Sequence, residues 1–194
     1  MALIQSPSGR LCGTNRPFEG ERVSGDGLFF HEDENGVFIS ISDGLGHGKQ
    51  AHEVSSKIST FLESHHHSDI TRLMGQVHDE ISPSIGAAIA MAYINFKEDT
   101  VYFCGVGNVG GYIMGPHDKI FVCKDGVVGA NMRSPLLQSV RLTMGDKIIL
   151  ASDGVHERFY SKANPKIFKR KPMAIVQYLL DNFGKSYDDA SCWV

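Results

Sequence analysis

No apolar run in this sequence approaches the ~18 residues needed to cross a bilayer. The first residues, "MALIQSPSGRLCG", lack a charged segment followed by a long apolar core, so neither a membrane span nor a secretory leader is expected. Cysteine is sparse. Cys12, Cys104, Cys123 and Cys192 stand far apart with no C-x-x-C pair, which argues against a zinc site or a disulfide framework and for a reduced, cytoplasmic setting. Positive charge is not in excess either: 19 lysines and arginines are scattered among 22 acids, a net charge of −3, which excludes a broad basic field for nucleic acid. No repeat, linker or low-complexity stretch divides the chain, so one domain over residues 1–194, working as a monomer, is expected.

What is present is a chain of 194 residues, 42% apolar, long enough to bury a sizeable core. "GLFFHEDENGVFISIS" reads as two strands around a turn at 32–36, with Val37, Ile39 and Ile41 on one face of the second. Helical spacing follows twice: Ala51, Val54, Ile58, Phe61 and Leu62, then Ile70, Leu73, Met74, Val77 and Ile81 behind the cap Ser68. The period then shortens. "GAAIAMAYINF", "TVYFCGV", "GGYIM" and "KIFVC" form an expected antiparallel meander, and "SVRLTMGDKIILAS" an expected hairpin whose second arm is apolar on both faces. "KPMAIVQYLLDNFG" is an amphipathic helix between Pro172 and Gly184, and "ASCWV" a last strand. The N-terminal residues read as irregular. Helix pairs and antiparallel strands in separate runs predict a layered α+β domain.

Two apolar strands, "FISISDG" and "IILASDG", end in the same Ser-Asp-Gly. The first runs into "GLGHGK", which fails as a phosphate-binding loop because Asp43 and Gln50 stand where Gly and Ser or Thr are required. Gly46, Gly48 and Ala51 fit G-x-G-x-x-A, yet a second helix follows where a dinucleotide fold needs a parallel strand ending in an acid. The remaining reading starts from the carboxylates. Asp26, Asp43, Asp153 and Asp188 each lie beside small residues at a predicted strand edge, and such a set suits oxygen-preferring cations, because an adjacent glycine permits close approach and frees a carbonyl. Asp-Gly is also an ordinary turn pair, which is how "MGDK" at 144–147 is read. Cys104 and Cys123 fall in predicted strands as core residues, and the histidines at 65–67 read as a solvated joint between helices.

In order, "SGD", "SDGLGHG", "GVGNVGGY", "IILASDG" and "DDAS" resemble the motif series of the metal-dependent serine/threonine phosphatases of the PPM (protein phosphatase 2C-like) family, over residues 24–191, and "SDGLGHG" with the small size is most similar to its SpoIIE/RsbX branch. The resemblance implies an α-β-β-α sandwich, two central antiparallel sheets flanked by helices, with two Mn²⁺ or Mg²⁺ ions at one edge. It implies that Asp43 bridges the ions, that the Gly44 carbonyl binds one, and that Asp26, Asp153 and Asp188 complete the protein ligands, with Asp189 beside them or in exchange for Asp188. Gathered carboxylates require cations to stay ionised, and two ions activate water for in-line attack, so Asp43 and Asp153 act through the metals and no protein nucleophile is needed. Ser42 and Ser152 either orient the neighbouring aspartates or make ordinary strand-end bonds.

Some positions depart from the family pattern. Leu45 stands where many relatives have histidine, with His47 two residues on; Gly111 stands where relatives carry an aspartate for a third ion. Arg22 is the candidate phosphate contact, and Asn108 either shapes a turn near the site or adopts a left-handed conformation. "KDGVVGANMRSPLLQS", 124–139, is short where larger members insert a flap, which leaves an open site for a folded protein substrate. The resemblance implies phosphoserine or phosphothreonine on phosphorylated STAS-domain regulators of the stressosome type. The alternative is an inactive PPM-like module that binds the same phosphoproteins.

Overall fold

The computed structural model describes residues 2–6 and 10–194. Eleven strands and four helices appear among these residues, in the order β1 Ala2–Gln5, β2 Cys12–Arg16, β3 Asp26–Glu32, β4 Gly36–Gly44, α1 Gly48–His65, α2 Ile70–Ile81, β5 Ala87–Asn95, β6 Thr100–Val106, β7 Gly110–Met114, β8 Lys119–Ile120, β9 Gln138–Arg141, β10 Lys147–Ala151, α3 Phe159–Lys162, α4 Pro172–Phe183 and β11 Ala190–Trp193, with a 3-10 turn at Pro165–Lys169 before α4. The strands make two antiparallel sheets, one ordered β3-β4-β5-β6-β9 and the other β1-β2-β11-β10-β7-β8.

The side-chain alternation of each strand sorts the apolar residues into three cores. Val37, Ile39 and Ile41 of β4 meet Phe103, Leu150 and Trp193 between the sheets. Phe38, Ile89 and Met91 point the opposite way, onto Ile58 and Leu62 of α1 and Leu73, Met74 and Val77 of α2. On the far side Ile149, Ala151 and Cys192 pack beneath Ile175, Val176, Leu179, Leu180 and Phe183 of α4. The result is the four-layer α-β-β-α sandwich, and β10 is apolar from Ile148 to Ala151 because two cores claim its two faces. Trp193 ties the sheets together: it is fully buried, and its indole Nε1 donates to the Ser40 carbonyl at 2.9 Å.

Several local expectations are corrected. The supposed meander breaks at Gly107–Val109, where the chain leaves one sheet after β6 and enters the other at β7. "KIFVC" contributes only the two-residue β8, and Cys123 lies beyond it, half-buried, with its thiol donating to the Val109 carbonyl. Nor is "SVRLTMGDKIILAS" a hairpin, since β9 pairs with β6 and β10 with β7, so the turn at 143–146 carries the chain across the sandwich. Both arms keep an apolar face toward the same inter-sheet core, the pattern a hairpin would show. Among the described residues the N-terminal stretch carries two strands where an irregular start is expected; β1 and β2 pair, and β2 pairs with β11, while residues 1 and 7–9 lie outside the described residues. Asp69, not Ser68, caps α2, accepting from the Arg72 N–H at 3.1 Å. His66 is not a solvated joint residue: its Nδ1 donates to the Leu62 carbonyl and its ring packs among Phe29, His31 and Phe38.

Candidate metal centre

Asp26 is the first residue of β3 and lies directly across from Asp43 of β4. Opposed residues of an antiparallel pair project to the same face with Cβ atoms about 4.5–5.5 Å apart. Asp43 continues the series Val37, Ile39, Ile41 that faces the inter-sheet core, so the two carboxylates project into the seam where the apolar side chains end. The second sheet brings its own acids to that end. Asp153 follows β10, and Asp188 and Asp189 precede β11, its neighbour in the sheet. Ser152 joins the two strand ends: its N–H donates to the Ser191 carbonyl and its Oγ accepts from the Ser191 N–H, each at 3.0 Å.

The repeated Ser-Asp-Gly has a steric basis. A Cβ on Gly44 would stand 2.4 Å from the Ala51 carbonyl oxygen of α1, and one on Gly154 would stand 1.7 Å from that of Asp189. In both places a second backbone crosses so close behind the aspartate that only glycine fits, and the crossing fixes the acid. Asn108 supports Asp153 from the sheet-switching turn, its Nδ2 donating to Oδ2 at 2.5 Å. The left-handed residue of that turn is Gly107, not Asn108. Asp189 is buried, with both oxygens engaged, accepting from the N–H groups of Phe18 at 2.8 Å and Gly25 at 2.9 Å.

Asp26 is 3% exposed, and neither of its carboxyl oxygens has a hydrogen-bond partner among the described residues. The Ser152 and Ser191 hydroxyls ease its charge without completing a bond to it. Burial lifts its pKa to about 7, with the charges of Asp189 and Asp153 adding to the rise. Burial also pushes Asp43 up to about 9, reinforced by Asp26, Asp153, Asp188 and Asp189. Asp188 is raised by burial and then by Asp153, with Lys185 acting in the opposite sense. A buried carboxylate without donors beside several like charges is a donor set for hard cations. Among the described residues no three His, Cys, Asp or Glu side chains form a cage around one point. Hard ions that keep several waters and share carboxylates do not require one.

Folded, metal-free protein keeps the Asp26 and Asp43 carboxyls protonated up to about 7 and about 9, whereas the unfolded chain releases those protons near 3.8. Over that window the folded state binds more protons, so metal-free stability is expected to fall as pH rises. Divalent ions compete with those protons and should raise the melting temperature more at about pH 8 than at about pH 6. Thermal melts in EDTA and in Mn²⁺ across this range check both; metal-free stability that climbs with pH would contradict them.

Arg22 is exposed and lines a separate cleft of about 420 Å³ with Asn15, Ser24 and His52. His47 precedes α1, stacks on Phe18 and has Nδ1 3.0 Å from Glu21 Oε1. Leu45 is 44% exposed. At Gly111 a Cβ would meet the Phe103 ring at 2.2 Å, so the core excludes an aspartate there. Sequence reading missed Lys185, whose Nζ lies 3.9 Å from Asp188 Oδ2; its one signal is a position three residues before that acid.

Two stacked antiparallel sheets between helix layers, with aspartates gathered at one end of the seam, define the fold class of the protein phosphatase 2C-like enzymes. The family described as Stage II sporulation protein E (SpoIIE) matches residues 33–191, and the chain belongs to that family. The chain is similar to the phosphoserine phosphatase RsbX of Bacillus subtilis (strain 168), at 25% identity over 140 residues, 71% of this chain and 70% of that protein. Among solved structures, one described as "The bacterial stressosome: a modular system that has been adapted to control secondary messenger signaling" matches with a TM-score of 0.86 at 21% identity, covering 95% of this chain and 97% of the other. A crystal structure of RsbX in complex with magnesium matches with a TM-score of 0.83 at 20% identity, covering 99% and 96%.

Proposed function

We propose that this chain is a Mn²⁺- or Mg²⁺-dependent protein serine/threonine phosphatase that removes phosphate from phosphoserine or phosphothreonine on STAS-domain regulators of the stressosome type. The observation that carries this reading is the buried carboxylate of Asp26, unpartnered at both oxygens and facing Asp43 across two paired strands. Asp26, Asp43, Asp153 and Asp188, with the Gly44 carbonyl, would hold the ions. When bound, such ions supply Lewis acidity toward phosphoryl oxygens and lower the pKa of water. Asp43, buried and pressed by four other carboxylates, is the acid whose ionisation depends most on a bound cation. Asn108 and Ser152 hold Asp153 and the start of β11 in place. Asp189 keeps its oxygens on the Phe18 and Gly25 amides, a supporting role beside the ligands.

The substrate assignment rests on similarity to RsbX and to the stressosome structure. The site accords with it, because an open cleft beside Asp153 leaves room for a folded partner. No helix among the described residues is long and apolar enough to cross a membrane. The proposed setting is the cytoplasm, and the proposed working unit one monomeric domain. The test is release of phosphate from p-nitrophenyl phosphate and from a phosphorylated STAS-domain protein. Turnover is expected with Mn²⁺ and none in EDTA, with kcat/KM higher on the folded phosphoprotein. Tight binding of the phosphoprotein without turnover in any divalent metal would favour an inactive binding module.

A further inference from the structure

The geometry points to Lys185 as the residue of this chain that binds the substrate's phosphoryl group, in the cleft it shares with Asp153; the inference rests on the phosphatase reading above. That cleft, of about 540 Å³, runs past Asn108, Asp153, His156, Glu157 and Tyr187, and among the described residues Lys185 is the one lysine or arginine that lines it. Arg22 lines a different cleft.

Lys185 is held as a positioned cation. Its N–H donates to the Gly154 carbonyl at 2.8 Å, and its carbonyl accepts from Arg16 Nη2 at 2.5 Å, so its backbone is tied to the residue that follows Asp153 and to β2. The side chain is 18% exposed, with Nζ 6.0 Å from the centre of the Tyr187 ring and 3.9 Å from Asp188 Oδ2. At 3.9 Å that contact is a charge pairing without a hydrogen bond, so the ammonium protons remain available to another acceptor. A carboxylate that also serves a divalent ion gives less negative charge to its lysine. The cation beside it then favours an incoming anion with several acceptor oxygens, which describes a phosphate monoester. A lysine binds phosphate as a point charge and tolerates different approach angles, which suits an open cleft.

A purely structural lysine would relieve repulsion between Asp188 and Asp153 and do nothing else. The two roles separate in Lys185→Met and Lys185→Arg, prepared in the full chain. The readouts are KM and kcat for p-nitrophenyl phosphate at saturating Mn²⁺, the inhibition constant of inorganic phosphate, and the Mn²⁺ dissociation constant by calorimetry. For Lys185→Met, KM and the phosphate inhibition constant are expected to rise about tenfold or more, as for loss of a charge-assisted contact. The Mn²⁺ dissociation constant is expected to stay level or tighten, and Lys185→Arg to recover part of the phosphate affinity. Phosphate inhibition within twofold of the parent protein in Lys185→Met would overturn the assignment, as would weaker Mn²⁺ binding that accounts for the whole loss. If Arg22→Ala raises KM and the inhibition constant while Lys185→Met does not, the contact belongs to Arg22. A parent protein that neither binds Mn²⁺ nor turns over would overturn the phosphatase reading and this inference together; turnover in the parent with unchanged constants in Lys185→Met would overturn this inference alone.

Discussion

Replacing Asp43 by asparagine is expected to cut Mn²⁺-dependent hydrolysis by about 10³-fold or more while the protein still folds. The side chain sits at the end of β4 in the seam, where burial and four other carboxylates already hold its proton on to about pH 9 in the absence of metal. An amide of the same shape is neutral at every pH, so it removes the cost of keeping that proton on without changing the volume at the strand end. Metal-free Asp43→Asn should therefore melt no lower than the parent protein at about pH 8, and the stabilisation produced by Mn²⁺ should disappear. The two effects have opposite origins, which makes the variant informative: a general folding defect would lower both melting temperature and activity. Activity near the parent level at saturating Mn²⁺ would remove Asp43 from the centre.

The second large effect is expected at Gly154. An alanine Cβ there would stand 1.7 Å from the Asp189 carbonyl oxygen and 2.9 Å from the Ala190 Cα, both backbone atoms that no rotamer change can move. Accommodating it means separating the Asp153 loop from the chain entering β11, which would pull Asp153 away from Asp188 and disturb the hold of Asp189 on Phe18 and Gly25. A loss of about 3 kcal/mol or more is expected, at the upper end of overpacking effects. Mn²⁺ affinity should fall with it. Urea unfolding and Mn²⁺ calorimetry on Gly154→Ala measure the two losses; a variant with parental stability would mean the chain yields there at no cost, and the steric account of the second Ser-Asp-Gly would fail.

Both predictions concern residues that the sequence displays openly. The Ser-Asp-Gly pairs follow apolar strands, and the alternation of Val37, Ile39 and Ile41 carries on to Asp43, so the face on which that acid projects can be read from the chain. The helices were equally plain, because α1, α2 and α4 each cover one core and keep one apolar stripe. Other features leave no such trace. β9 and β10 present their apolar sides to the same inter-sheet core from opposite sheets, and alternation alone does not distinguish that from a hairpin. β1 and β2 are short, and what gives β2 its place is pairing with β11 at the other end of the chain. Lys185 enters the site from a helix exit, where only the tertiary fold brings it to Asp188, and Asn108, readable as a turn residue near the site, meets Asp153 only through the fold. The histidine run was misread because His66 takes its partners from β3 and β4.

What gives the centre its chemistry is the charge that the two sheets bring together, acids that do not all stay ionised side by side unless cations join them. The most direct measurement is anomalous diffraction from crystals of the parent protein soaked in Mn²⁺. Two peaks bridged by Asp43, one or both touching Asp26, Asp153 and Asp188, are the expected result. A soaked crystal with no peak at this seam, or with Asp26 and Asp43 turned away from whatever metal is bound, would contradict the account.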